Sequence, residues 1–202
     1  EEEYTVKVKK DNAVKAQWLP IHNTNRRTPP DIRRGERLLL YRFADSERFF
    51  WVSMGQDDHL RRLETVIYTW SDTQDEDDDA TDPDNCYSME VCTHTKQITL
   101  RTVKRDGEPY AYTLQFNTKY GAVILTDDVG NYFELDSPET CFTIKNIDGT
   151  YTRWDKRNIN MYAPNEITME AQNRIFMKCG SSTITMTPTN ITQRSPRIDL
   201  NP

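Results

Sequence analysis

The chain has 202 residues, of which 29% are charged and 36% hydrophobic, with a formal net charge of −6 and a mean hydropathy of −0.83. That composition suits one or two thin-cored domains and excludes a bilayer-spanning helix, since no window approaches the required apolar length. The acidity is concentrated between Asp72 and Asp84, which hold eight acidic residues and no basic ones. The rest is near neutral, so there is no basic field to recruit nucleic acid.

The chain starts on Glu rather than Met, with no signal-peptide pattern, so it reads as a fragment or processed product. Residues 1–70 read as a small OB-like barrel of about five strands. Tyr4-Thr5-Val6-Lys7-Val8 alternates, and Ala13 to Leu19 gives a second strand ended by Pro20. A polar loop from His22 to Gly35 carries Arg26, Arg27, Arg33 and Arg34, with a protein contact or solvated loop as its expected role. Arg37 to Phe43 and Arg48 to Val52 flank a short loop and predict a hairpin. Phe49, Phe50 and Trp51 must point to both faces, so one face is expected to meet another domain or chain. Asp57 to Arg62 predicts a helical turn, and Leu63 to Trp70 the barrel's last strand.

Residues 71–85 form an acidic surface loop. It lacks the glycine and terminal glutamate spacing of an EF-hand, so a solvated excursion is the expectation. From residue 86 to 140 the strands resume as a transitional region: Tyr87 to Val91, Gln97 to Val103, Tyr110 to Phe116, Ala122 to Leu125 and Tyr132 to Leu135. Another follows at Cys141 to Ile144, and turns such as Asp106-Gly107 and Asp148-Gly149 punctuate the series.

Residues 141–202 show the most regular pattern. Ile159/Met161, Ile167/Met169, Ile175/Met177, Ile184/Met186 and Ile198/Leu200 are apolar pairs two residues apart, and Ile191 lacks its partner because Gln193 stands there. Apolar, other, apolar is the signature of a short strand with one buried face. Strands this short, recurring about every eight residues, cannot enclose a core alone and must stack on neighbours. The expectation is a β-helical needle, three-chain and intertwined rather than a single-chain solenoid, with a plain meander of strands in a sandwich as the alternative; sandwich strands usually run longer, around five or six residues.

Catalysis has no visible constellation. His22, His59 and His94 are isolated, and no nucleophile elbow, phosphate loop or dinucleotide fingerprint occurs. Cys86, Cys92, Cys141 and Cys179 fit no metal spacing and read as small buried hydrophobes in a reducing compartment. Neither an enzyme nor a cofactor is expected.

The barrel strands Arg37 to Trp51, the run Asp57 to Tyr68, the segment Lys145 to Thr150 and the terminal Ser195 to Pro202 together resemble the central spikes of contractile-tailed phages. They are similar also to the spikes of type VI secretion systems. The resemblance implies an all-β homotrimer in the virion tail baseplate, made in the host cytoplasm. A barrel collar would meet baseplate hub proteins, and a needle would be driven transiently through the host outer membrane. It implies a needle core of Ile159, Met161, Ile167, Met169, Ile175, Met177, Ile184, Met186, Ile191, Ile198 and Leu200. Its tip would be Arg197, Asp199, Asn201 and Pro202. Some spikes hold iron on a His-x-His apex; no histidine follows His94 here, so the implied tip is blunt and covered by a separate small protein. The alternative is a trimeric fibre or adhesin that binds a host glycan through Tyr151, Trp154 and Tyr162.

Overall fold

The computed structural model describes residues 13–22, 25–54, 64–79 and 81–199. The strand expected at Tyr4 to Val8, the helical turn at Asp57 to Arg62, and Leu200, Asn201 and Pro202 lie outside them. The described chain is all-β, in three sheets. It divides into two compact units, Glu1–Met161 and Tyr162–Pro202.

The first sheet comprises β1 (Ala16–Trp18), β2 (Leu38–Arg42) and β3 (Phe49–Ser53), in the order β1-β3-β2. β2 and β3 form the expected hairpin, and β1 joins β3 in parallel. Trp51 is buried, whereas Phe50 lies on the opposite face, edge-on to Phe43 at 5.5 Å. These three strands form an open sheet. The strand expected to complete the barrel, β4 (Thr65–Ser71), instead begins the second sheet, because its seven residues pair throughout with β5 (Cys86–Cys92). A boundary at residue 70 or 86 therefore cuts through one continuous ladder.

The second sheet continues through β6 (Gln97–Arg101), β7 (Tyr112–Asn117), β8 (Ala122–Asp127), β9 (Tyr132–Asp136), β10 (Cys141–Lys145), β11 (Tyr151–Asp155) and β12 (Asn158–Tyr162). Its nine strands follow chain order and run as an antiparallel meander. Meanders need only tight turns, and the sequence supplies them at one end of the strands. Residues 93–96, 118–121 and 137–140 each reverse the chain in four residues, and 156–157 in two. Lys96, Gly121, Thr140 and Lys156 take positive φ there.

The free edge of β4 is covered by the preceding segment. The Arg27 amide donates to the Ile67 carbonyl at 2.8 Å, and the Thr69 amide to Asn25 at 2.9 Å. Arg26 turns inward, ion-paired with Glu64 at 2.5 Å and lying over the Trp18 ring. Part of the loop expected to be solvated thus closes a sheet edge that would otherwise be a template for pairing.

The second unit holds β13 (Ile175–Cys179), β14 (Ser182–Met186) and β15 (Ile191–Arg194), again an antiparallel meander. The eight-residue repeat is thus built within this chain as hairpins rather than solenoid coils. Ile167 and Met169 lie in a stretch without strand structure, as does Ile198. A strand needs a ladder partner for its backbone groups, and no described strand of this unit pairs with either stretch.

Candidate assembly interface

Alternation along each strand and register between strands sort the nine-stranded sheet into two unlike faces. One row on the first face runs Val66, Val91, Ile98, Phe116, Val123, Leu135, Phe142 and Trp154, from β4 to β11. A parallel row, two residues along, runs Tyr68, Met89, Leu100, Leu114, Leu125, Phe133 and Ile144, ending at Thr152. No charge interrupts either row. The opposite face carries Glu90, Thr99, Gln115, Glu134, Thr143 and Arg153 in the row that begins at Ile67 and includes Ile124.

The described chain does not cover the apolar face. Of the fifteen apolar side chains in the two rows, eight are 37–46% exposed. Buried hydrophobics number only five among the described residues: Trp51, Cys86, Cys92, Val103 and Cys141. The eight row side chains remain open to solvent on one face of the sheet. At the β9–β11 end that face is aromatic: Phe142 lies edge-on to Phe133 at 4.7 Å and tilted against Trp154 at 4.9 Å. A groove of about 480 Å³ opens beside this cluster, between Tyr112, Leu125, Phe133 and Ile144.

Loops at one end of the strands hold the rim of this face. The Asp127 carboxylate, at the end of β8, accepts the backbone amides of Val129, Gly130 and Asn131 and the Asn131 side-chain amide. Burial pushes its pKa up, but those four donors outweigh burial and hold it below the usual carboxylate value. The hydrogen bond from Lys104, then that from the Ala111 amide, depresses Asp128 in the same direction. Asn131 in turn accepts the Ile147 amide, tying the next loop to this one.

The acidic run is exposed over most of its length, as a surface loop, and is anchored at three points. Arg105 forks onto Asp78, its backbone amide donates to Asp72 at 2.9 Å, and Arg101 reaches Asp84 at 2.8 Å. Among the described residues, no cluster of three or more His, Cys, Asp or Glu side chains could hold a metal ion.

The residues singled out in the sequence are distributed unevenly. Ile175, Met177, Ile184, Met186 and Ile191 share one face of the second unit's sheet, as their pairing register requires, and Gln193 faces Ile184 on that same side. Ile159, Met161, Ile167, Met169, Ile191 and Ile198 are all about half exposed or more. At the expected tip, Arg197 and Asp199 form an ion pair at 2.8 Å in open solvent. The glycan candidates do not converge: Trp154 lies on the apolar face and Tyr151, an odd number of residues away on the same strand, on the other. Cys86, Cys92 and Cys141 are buried as expected, but Cys179 is exposed.

The two long rows lie outside the regular tail pattern and, Trp154 apart, were not among the expected site residues. Their signal was present as apolar pairs two residues apart: Ile98/Leu100, Val123/Leu125, Phe133/Leu135 and Phe142/Ile144 repeat the tail's motif. No family model matches the chain, and no curated protein matches it.

Proposed function

We propose that three copies of this chain pack the apolar faces of their nine-stranded sheets together around a threefold axis, as a rigid β-prism needle. The needle stands below an OB-like collar built on the first sheet and serves as the central spike of a contractile tail. The collar meets the baseplate hub, a small separate protein covers the blunt tip, and the spike breaches the host outer membrane by force without turnover.

The two unbroken apolar rows carry this reading. A sheet with one apolar face must bury it against a second layer, and the described residues supply none. Three identical sheets facing inward supply it by symmetry, leave the polar faces outward, and give the stiffness that a piercing device needs. The exposed Ile-x-Met residues of the tail extend the same logic.

Light scattering on the full chain tests the proposal. A mass near three times 23.7 kDa is expected. A monodisperse monomer overturns it.

A further inference from the structure

The apolar rows cross the strands, so a prism axis that follows the rows puts every strand crosswise to it. Each sheet then meets its neighbours through its strand ends. Rotation about a threefold axis brings one end of a sheet to the opposite end of the next, a heterologous contact that closes after three copies. What the two ends carry therefore decides whether closure is favourable.

They carry opposite charge. At one end lie the loops 72–85, 102–111, 128–131 and 146–150. The first holds eight acidic residues and no basic ones; the other three add Asp106, Glu108, Asp128 and Asp148 against only Lys104 and Arg105. Arg101, Arg105 and Lys104 pair with Asp84, Asp78 and Asp128, which leaves most of this end's carboxylates unmatched by those cations. At the other end lie the short turns 93–96, 118–121, 137–140 and 156–157, with Lys96, Lys119, Lys156 and Arg157 against Glu139 within the turns and Asp136 and Asp155 on the strand ends beside them. Lys156 lies 3.4 Å from Glu139, whereas Lys96, Lys119 and Arg157 have no carboxylate partner among the described residues. All four cations are exposed. Backbone hydrogen bonds fix this end: Thr118 donates to the Lys96 carbonyl, Ser137 to that of Gly121 and Lys156 to that of Thr140.

We infer that the acidic loop end of each nine-stranded sheet docks on the basic turn end of the next copy. These two ends form the seams of the trimer and set its direction of closure. The inference rests on the trimeric reading above. Opposite potentials steer encounter and penalise wrong registers. They also stop two like ends from meeting, which would leave an open dimer.

The test is a charge swap in the full chain, read as the rate of trimer formation after dilution from denaturant, with light scattering for mass. One variant carries Lys96→Glu, Lys119→Glu and Arg157→Glu. A second carries Asp75→Lys, Asp77→Lys and Asp82→Lys, and a third carries all six changes. At low salt each triple variant is expected to assemble about tenfold more slowly than wild type, and the sixfold variant to recover most of the rate. At 1 M salt, where the screening length is about 3 Å, all four should converge. If wild type is trimeric but neither triple variant slows, or the sixfold variant fails to recover, the seam assignment is overturned while the trimer stands. If wild type is a monomer, both readings fall.

Discussion

At the scale of single residues, the turns decide most. Gly121 sits in the turn between β7 and β8 with φ +71, and a Cβ there would lie 2.8 Å from Cδ of Pro138. Both the left-handed backbone and the contact penalise any side chain. Gly121→Ala should therefore destabilise by about 1–2 kcal/mol from the backbone alone, read as a lower denaturant midpoint with an unchanged slope. Glycine between two strand-like runs made this turn legible in the sequence. Lys96 and Thr140 occupy the equivalent last positions of their turns with positive φ, as Lys156 does at the first position of its two-residue turn, and nothing in their side chains announces it. Asp127 and Asp128 give a second prediction. Both are held below the usual carboxylate value in the folded chain, so between the folded and unfolded values the unfolded state binds more protons. Their stabilisation is present above the unfolded value of about 3.9 and is lost as pH falls through the lowered folded values. Thermal midpoints measured from pH 6 down to pH 2 should fall steeply below about pH 4, and Asp127→Asn combined with Asp128→Asn should flatten that fall.

At the scale of elements, alternation was readable and allegiance was not. The strands from Cys86 to Lys145 lie close to where the sequence places them, because β-branched and aromatic residues alternate with polar ones between Gly and Asp turns. β11 escaped notice because Tyr151-Thr152-Arg153-Trp154 has an arginine within four residues and a turn, Lys156-Arg157, without glycine. β4 was assigned to the wrong sheet because its partner, β5, begins fifteen residues later, across the acidic loop; no local pattern encodes such a pairing. The proposed function makes the two faces unequal, and adjacent residues on β6 separate them. Leu100 faces Leu114 and Met89 in an apolar row, while Thr99 faces Gln115 and Glu90 on the other side. Leu100→Glu should abolish the trimer, since it places a charge in a layer emptied of water, at several kcal/mol per copy. Thr99→Glu should leave the mass unchanged. Equal behaviour of the two variants in light scattering would remove the apolar face from the account.

At the scale of the whole molecule, the question is whether one chain is a complete folding unit. The eight most exposed side chains of the two rows retain 37–46% exposure, so finishing their burial contributes about 1 kcal/mol each. That sum is comparable to the roughly 5–15 kcal/mol that keeps an ordinary domain folded. A chain so placed gains much of its stability on association, and stability then becomes a function of concentration. For three chains forming one trimer, a tenfold rise in protein concentration favours the assembled state by twice RT ln 10, about 2.7 kcal/mol of trimer. The thermal midpoint of the intact chain should therefore rise by several degrees for each tenfold increase in concentration, and refolding should slow on dilution. Reversible melts at three concentrations spanning two decades check this. A midpoint that stays constant would mean the chain buries the apolar face by itself, and the spike would have to be sought in another assembly.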